Sequence, residues 1–386
     1  MKKIAIISTT RAEYGLFSPV IHELRKHEND QLYVELVVTG THLSEQFGST
    51  IHEIEEERLR IDHEIPIDIR TTAETDISVV QANVLVKFTD LFVNERYDAV
   101  LLLGDRYETL SIAIAAGNTR TPVFHLCGGD TTEGALDEWI RHSITKISYL
   151  HFVTNDKSRK RVIQLGEDPA RVFNYGSTSI DNILAIGNMN KKQVLNSIGL
   201  SDCEYALCTY HPVTMDGGLV DESVMSIIEA IKRCPNVEFI FTKANADLGG
   251  VRINELLECA EKDIKNLHVY DSLGFIRYLS LMKYAEFILG NSSSGIIEAP
   301  ALRVPTVNIG DRQRGRLKSD SVIDCCEKTV DIVRSIKIAM SDEHKQLCRT
   351  VISPYGDGHA AKHIADKTIE VVTNGRIDLK KKFFDL

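Results

Sequence analysis

Four carboxylates come directly after, or soon after, short apolar runs of the sequence: Asp105, Asp130, Glu133 and Asp137. The histidine His125 lies in the second of these runs, and Arg141 follows Asp137 at a spacing that puts both on one face of a predicted helix. Crowded carboxylates raise one another's pKa, which is how proteins make general acids and bases. Taken singly, Asp130 as a turn cap and Asp137–Arg141 as a surface ion pair are equally good interpretations.

A second cluster is suited to phosphate. The stretch Gly290–Gly295, with three serines, follows an apolar run and opens a predicted helix. Unpaired N–H groups and the helix dipole at such a start favour an anion. Glu298, one turn later, could bind a ribose diol as acidic residues do in dinucleotide folds. A plain serine N-cap and a solvated glutamate are the alternatives.

The third cluster is cationic or polar, and its members follow other apolar runs. Arg11 lies in Thr9–Gly15, which is predicted to be a loop after the first strand, and Arg312 begins an Arg-rich segment at 312–316. Guanidinium groups there would suit a pyrophosphate, although exposed loop arginines and solvated charge runs are common. His211 after another run is a candidate ligand, and Asn245 offers an amide in the same kind of position.

These clusters need a scaffold of alternating strands and helices. Apolar runs of four to eight residues are typical of buried parallel strands, and they predict strands at 3–8, 33–39, 99–104, 122–127, 150–154, 172–175, 205–210, 238–242, 267–270, 287–289 and 306–309. Amphipathic segments between them predict helices. The pattern indicates an α/β protein of two doubly wound, Rossmann-like domains with a ligand cleft between them.

The second series of strands begins after a Gly-, Ser- and Asn-rich segment at 176–192, which we interpret as a linker. We therefore expect an N-terminal domain at 1–176 and a C-terminal, nucleotide-binding domain at 177–358. The last helix, within about 359–386, is expected to pack back onto the first domain.

Composition excludes several classes of function. The 386 residues carry a formal net charge of −10, which disfavours nucleic-acid binding. No apolar run reaches the ~18 residues of a membrane helix, and the short apolar N-terminus predicts no signal peptide, so we expect a cytoplasmic protein. The eight cysteines form no CxxC pair, and neither a metal nor a disulfide framework is predicted.

Seven motifs occur in an order that resembles the hydrolysing UDP-N-acetylglucosamine 2-epimerases of bacterial sialic-acid pathways: TTRAEYG, GDRYET, GGDTTEGALDEWIRHSITK, YHPV, NADLGG, GNSSSGIIE and NIGDRQRGR. The resemblance covers essentially the whole chain. It implies a GT-B-like fold, a homodimer and no cofactor, with UDP as a moiety of the substrate and product.

The resemblance also implies roles for individual residues. Its UDP contacts fall on Arg11, Gly15, Arg106, His211, Asn245, Ser292, Ser293, Glu298 and Arg312. Its catalytic group falls on Asp105, Asp137 and Arg141. Several relatives carry a glutamate where this chain has Cys127, and a thiol is a poor substitute for that carboxylate near neutral pH. Asp130 or Glu133 could supply the missing group, so the base remains open.

The implied reaction converts UDP-GlcNAc and water to ManNAc and UDP by way of 2-acetamidoglucal, the first step of sialic acid biosynthesis. Alternatives within the family are a hydrolysing 2-epimerase of UDP- or GDP-N,N'-diacetylbacillosamine, of the legionaminic acid pathway, and a non-hydrolysing UDP-GlcNAc 2-epimerase. Outside it, a GT-B glycosyltransferase and a non-catalytic nucleotide-sugar sensor would share the nucleotide site.

Overall fold

A computed structural model describes residues 1–45, 48–69, 75–131, 136–185, 189–212, 220–244, 250–375 and 377–386. The contacts divide the chain into two compact units. Unit 1 contains Met1–Asn182 and Tyr355–Leu386, and unit 2 contains Ile183–Pro354. The predicted α/β class, with two doubly wound Rossmann-like units, is confirmed by the sheets of both.

Unit 1 is built on a parallel sheet of seven strands: β1 (Lys2–Ser8), β2 (Leu32–Thr39), β3 (His63–Ile65), β4 (Ala99–Leu103), β5 (Val123–Leu126), β6 (Leu150–Val153) and β7 (Val172–Asn174). Their order across the sheet is β3-β2-β1-β4-β5-β6-β7. The strand order changes direction at β1, so the carboxyl ends of β1 and β4 are neighbours. In open α/β sheets, ligands bind at such a point.

The helices of unit 1 are α1 (Arg11–Arg25), α2 (Ile51–Glu56), α3 (Asp76–Glu95), α4 (Tyr107–Asn118), α5 (Leu136–Ile147), α6 (Asp156–Gln164) and α15 (Ala360–Asn374). Alternate residues of β1 enter two different cores: Ile4 and Ile6 pack with α1 and α15, whereas Ala5 and Ile7 pack with α3 and α4. Burial on both faces explains the unbroken apolar runs of these strands.

Unit 2 repeats the design with β8 (Tyr205–Thr209), β9 (Glu238–Thr242), β10 (Leu267–Tyr270), β11 (Phe287–Gly290), β12 (Thr306–Ile309) and β13 (Val322–Cys325). The parallel order is β10-β9-β8-β11-β12-β13. Its helices are α8 (Lys191–Asn196), α9 (Val220–Lys232), α10 (Gly250–Glu261), α11 (Gly274–Tyr284), α12 (Ser294–Ala301), α13 (Thr329–Ala339) and α14 (Asp342–Thr350).

The segment predicted to be a linker contains a helix. Residues Thr178–Ala185 form α7, and the division between the units falls inside it. In unit 1 the Asp181 carboxylate accepts hydrogen bonds from the backbone N–H groups of Ala360 and Ala361, at 3.2 and 2.9 Å. Asp181 therefore caps α15 and fixes the start of that helix beside α1.

A salt bridge holds the C-terminal residues against the rest of unit 1. Lys381 Nζ lies 2.6 Å from the Glu167 carboxylate, which also binds Lys146 and His151. Burial alone would raise the pKa of Glu167, but these three partners outweigh it and lower the pKa to about 2. The Phe384 N–H donates to the Gly166 carbonyl at 3.0 Å. Within the described residues, no helix is long and apolar enough to cross a membrane.

Candidate functional site

The first site element is the junction of β1 and α1. The segment predicted as a loop is shorter than expected, because α1 begins at Arg11 and so places Arg11 and Gly15 inside the helix. Thr10 is the N-cap, and its hydroxyl oxygen accepts a hydrogen bond from the Glu13 N–H at 3.3 Å. The Arg11 side chain is 67% exposed, 3.4 Å from Glu53. No heavy atom lies within 4 Å of a Cβ added at Gly15, so this position has room for a side chain.

Glu13, one turn into α1, is a buried carboxyl group that the sequence analysis did not single out. Its side chain turns back towards the carboxyl end of β1, where Oε2 accepts hydrogen bonds from the N–H and the hydroxyl of Thr9, at 2.8 and 2.6 Å. The Thr109 hydroxyl of α4 donates to Oε1 at 3.4 Å. Burial raises the pKa of Glu13 to about 7, although the Thr9 donors and the charge of Arg106 oppose the rise.

The turn after β4 carries Asp105 and Arg106. It begins at Gly104, whose φ of +83° is a conformation that favours glycine. Arg106 then forms a two-pronged ion pair with the fully buried Glu108, with Nη2–Oε1 and Nε–Oε2 distances of 2.9 and 3.2 Å. Because Glu108 is the second residue of α4, this pair fixes the Arg106 side chain beside the helix start.

Arg141 brings together residues that are far apart in sequence. Its side chain is 4% exposed, donates to the Asp105 carboxylate through Nη2, and donates to the backbone carbonyl of Asp130 through Nη1 at 2.8 Å. A further contact joins Nη1 to Glu138 at 3.3 Å. Burial lowers the pKa of Arg141, but the Asp105 charge outweighs burial and the pKa is raised overall. Arg141 thus remains a fixed cation at neutral pH.

Asp137 is the second carboxyl group of this region. Burial and then the negative charge of Asp105 raise its pKa, against the opposing charges of Arg141 and Arg106. The charge of Arg141 therefore acts on the pKa of Asp137, as the predicted proximity of the two residues implies. The close ion pairs of Arg141, however, are with Asp105 and Glu138. Two carboxyl groups in unlike environments are suited to different proton-transfer roles.

Asp130 and His125 are held by structural hydrogen bonds. Asp130 Oδ1 accepts from the hydroxyls of Thr154 and Ser158, at 2.8 and 2.5 Å, which anchors the loop to the start of α6. His125 is fully buried, with Nε2 2.9 Å from the Gly104 carbonyl oxygen. Burial lowers the pKa of His125 to about 3, so its ring is neutral and positions the Gly104 turn.

Cys127 lies at the end of β5 in the left-handed region, with a φ of +64° that a non-glycine residue seldom adopts. Its N–H donates to the Phe152 carbonyl oxygen at 2.9 Å, which holds this backbone against β6. Two predicted site residues, Glu133 and Asn245, lie outside the described residues.

In unit 2 the serine-rich stretch connects β11 to α12. Ser293 occupies the N-cap position, and within the described chain its side chain accepts no capping hydrogen bond. The hydroxyl oxygens of Ser292 and Ser294 lie 2.9 Å apart, and the Tyr278 hydroxyl lies 2.8 Å from that of Ser294. This helix start presents hydroxyl and N–H donors together, as an anion site requires. Glu298 lies one turn further on and is partly buried.

Asn291 connects this loop to two other predicted contact residues. Its fully buried side chain accepts from the His211 N–H at 2.7 Å and donates to the His211 carbonyl at 2.8 Å. Its own carbonyl accepts from Arg312 Nη1 at 3.1 Å and from Gln313 Nε2 at 2.8 Å. The structure therefore brings His211, Arg312 and the serines together. Asn291 connects them through its hydrogen bonds, a role that the sequence did not indicate.

One group of described residues has the geometry of a cation site. Ligand atoms of Glu35, His63 and Glu95 lie within 4.8 Å of one another. The Lys3 ammonium group contacts both carboxylates, at 2.7 Å from Glu35, so a cation of the protein itself already pairs with this cluster.

Comparison with known proteins identifies the family. The sequence profile described as UDP-N-acetylglucosamine 2-epimerase matches residues 22–369. The chain belongs to the UDP-N-acetylglucosamine 2-epimerase family. The resemblance inferred from the seven motifs, to its hydrolysing members, is confirmed.

Three curated members of the family are informative. The chain is 40% identical, over 89% of both chains, to the GDP/UDP-N,N'-diacetylbacillosamine 2-epimerase (hydrolyzing) of Campylobacter jejuni. It is 39% identical to polysialic acid biosynthesis protein P7 of Escherichia coli, over 92% of this chain and 90% of that one. It is 32% identical, over 94% of both, to the UDP-N,N'-diacetylbacillosamine 2-epimerase (hydrolyzing) of Legionella pneumophila.

Solved structures of the family share the fold. The crystal structure of UDP-GlcNAc 2-epimerase from Neisseria meningitidis bound to UDP-GlcNAc superposes with a TM-score of 0.76. The match covers 96% of this chain and 100% of that chain at 21% sequence identity.

Proposed function

We propose that this family member is a hydrolysing 2-epimerase that acts on nucleotide-activated N,N'-diacetylbacillosamine. The observation that carries the reaction type is the group of Asp105, Asp137 and Arg141, in which Arg141 pairs with Asp105 while burial and the Asp105 charge raise the pKa of Asp137. The substrate rests on the two relatives, at 40% and 32% identity, that are named for this sugar. The comparisons thus support this alternative better than UDP-GlcNAc.

In the proposed reaction, Asp105 is the base that removes the proton from C2 of the sugar. The electron pair forms the C1–C2 double bond as the C1–O bond breaks and the nucleoside diphosphate leaves. Asp137, whose raised pKa favours its protonated form, then delivers a proton to the opposite face of C2 as a water molecule bonds through its oxygen to C1. The proton that this water loses passes to Asp137, and Asp105 releases the C2 proton to solvent, so both groups return to their starting states. The products are the free sugar, inverted at C2, and the nucleoside diphosphate.

The residues around these groups have supporting roles. Arg141 orients the Asp105 carboxylate through their ion pair. Arg106, held by Glu108, is a cation beside the same turn and would stabilise negative charge on the departing diphosphate. In unit 2, Ser292, Ser293 and Arg312 are proposed to bind a diphosphate at the start of α12.

A substrate panel tests the proposal. GDP- and UDP-N,N'-diacetylbacillosamine and UDP-GlcNAc are incubated separately in D₂O, and the free sugar is analysed by NMR. We expect release of the C2 epimer of diacetylbacillosamine with deuterium at C2. Nucleoside diphosphate released with no deuterium in the sugar would contradict elimination and rehydration. Return of an epimerised nucleotide sugar would indicate the non-hydrolysing reaction, and transfer to an added acceptor a glycosyltransferase.

Two substitutions separate the proposed roles. Asp105→Asn should abolish both exchange at C2 and release of the diphosphate, whereas Asp137→Asn should release the diphosphate and accumulate the glycal. Glu138→Gln is the matched control, since Glu138 is the other carboxylate paired with Arg141, and it should retain turnover. Wild-type rates in both aspartate variants would show that these two carboxylates are not the catalytic groups, whereas a wild-type protein that turns over no member of the panel would be a nucleotide-sugar sensor.

UDP-GlcNAc is the second candidate substrate, with ManNAc as the product. It is supported by the 39% identity to a protein named for polysialic acid biosynthesis. Faster release of ManNAc than of the diacetylated sugar in the same panel would decide for this candidate.

We also propose a homodimer. On α3, Val79, Val86 and Val93 are more than half exposed and recur every seven residues, which places them along one face of the helix. Light scattering should give twice the chain mass for the wild type and a smaller mass for Val86→Lys. An unchanged mass in that variant would remove α3 from the interface.

A further inference from the structure

Glu13 is a buried carboxyl group beside the proposed catalytic turn, yet the proposed reaction gives it no part. It is 6% exposed, although carboxylates are seldom buried without a partner cation in direct contact. Its contacts are with hydroxyl and N–H groups, and its pKa of about 7 leaves it partly charged at neutral pH. Burying a carboxyl group in this way lowers the stability of the fold, which suggests that Glu13 is kept for a function.

The hydrogen bonds of Glu13 join two different segments. Oε2 receives both donors of Thr9, at the carboxyl end of β1, and Oε1 receives the hydroxyl of Thr109, in the first turn of α4. Gly104 lies close to the same carboxyl group, because a Cβ added there would stand 4.0 Å from Oε1. The carboxyl group therefore lies against the backbone of the turn that carries Asp105 and Arg106.

We propose that Glu13 is a positioning residue, which joins the end of β1 to the start of α4 and thereby sets the placement of Arg106 and Asp105. The inference rests on the proposed function, because it assigns these two residues to the reaction. Arg106 is already bound on one side by Glu108. The negative charge of Glu13 also attracts the Arg106 guanidinium and so favours one orientation of that side chain.

Two nearby charges act on Glu13. The positive charge of Arg106 favours the ionised form of the Glu13 carboxyl group, and the negative charge of Glu108 opposes it. Protonation of Glu13 below pH 7 would remove its attraction for Arg106 while leaving the Glu108 pair in place. The ionised form is thus the one that positions the turn, and turnover should fall as the pH falls through about 7.

The test uses the full chain and the best substrate of the panel. Glu13→Gln keeps the shape of the side chain: the amide oxygen can accept both Thr9 donors, and the amide NH₂ can donate to Thr109. We expect kcat to fall roughly 10- to 100-fold, as for a small misplacement of reacting groups, with KM changed less than about 3-fold. The change in kcat with pH near 7 should disappear. Thr109→Val, which retains the charge, should keep that change.

Glu57→Gln is the matched control, because Glu57 also accepts from hydroxyl groups in unit 1, those of Tyr14 and Ser18. It should retain the wild-type kcat and pH profile. Equal losses of kcat in both variants, or a wild-type pH profile in Glu13→Gln, would overturn the inference.

A measurement without turnover keeps the two proposals separate. The guanidinium NMR signal of Arg106, assigned with Arg106→Lys, should shift with a midpoint near pH 7 in the wild type and lose this transition in Glu13→Gln. If no nucleotide sugar is turned over but the transition behaves as expected, the proposed function fails and the Glu13–Arg106 coupling stands. An identical transition in both proteins refutes the coupling.

Discussion

Replacing Glu13 with glutamine should make the protein more stable at alkaline pH. In the folded chain burial raises the pKa of Glu13 from 4.5 to about 7, so folding retains a proton that the unfolded chain has released. The wild-type free energy of unfolding therefore declines as the pH rises from 4.5 to 7. At about 1.4 kcal/mol per pH unit, the whole decline is about 3.5 kcal/mol, of which roughly 2.5 kcal/mol falls between pH 5 and pH 8.

The neutral amide cannot ionise, and Glu13→Gln should lose this part of the decline. The chain has one tryptophan, Trp139 on α5, so its fluorescence in urea reports unfolding of unit 1, which contains Glu13. We expect the variant to match the wild type near pH 5 and to exceed it by about 2.5 kcal/mol at pH 8. Parallel curves for the two proteins would refute the reasoning, as would the same change in Glu57→Gln.

Three further predictions concern the scaffold. In Gly290→Ala, at a φ of +136°, the new Cβ would lie 1.9 Å from the Thr209 carbonyl oxygen; we expect at least about 2 kcal/mol of destabilisation, measured by urea unfolding. Glu167→Gln leaves Lys381 without its buried carboxylate and should destabilise unit 1 by about 3 kcal/mol at pH 7. Because the pKa of Glu167 is lowered to about 2, this difference should be present above pH 4.5 and disappear as the pH falls towards 2. His125, with a pKa of about 3, should show no NMR titration between pH 5 and pH 8.

The sequence predicts strands well where they are buried on both faces. β9 and β12, which are interior strands of the unit 2 sheet, have the predicted bounds, because continuous apolar runs mark well-covered strands. The edge strand β10 also has the predicted bounds, since its apolar residues still form a run. Of the four edge strands, β3 and β13 were missed, whereas β7 and β10 were predicted. The residues of β3 and β13 are only partly buried or exposed, and so neither segment carries an apolar run. Edge strands form because a neighbour offers unpaired backbone groups, which is a tertiary effect.

The sequence predicted individual residues of the candidate site better than the contacts between them. Asp105 and Arg141 were both identified, but their ion pair depends on the fold that brings α5 to the end of β4. Glu13 lies in an identified motif, and the signal that could have found it is its place three residues after Thr10, the capping-box pattern. Its side chain instead reaches Thr9 and Thr109, which only the packing of α1 and α4 determines.

The order in which unit 1 is assembled has a consequence during protein synthesis. Its first segment leaves the ribosome before the whole of unit 2, and α15 follows last. Until then the core around Phe17 and Leu24 lacks Ile364 and Val372. The continuous unit 2 can complete its folding in that interval, whereas the nascent unit 1 exposes an apolar helix face. Until α15 covers it, such an exposed apolar face increases the risk of misfolding and aggregation.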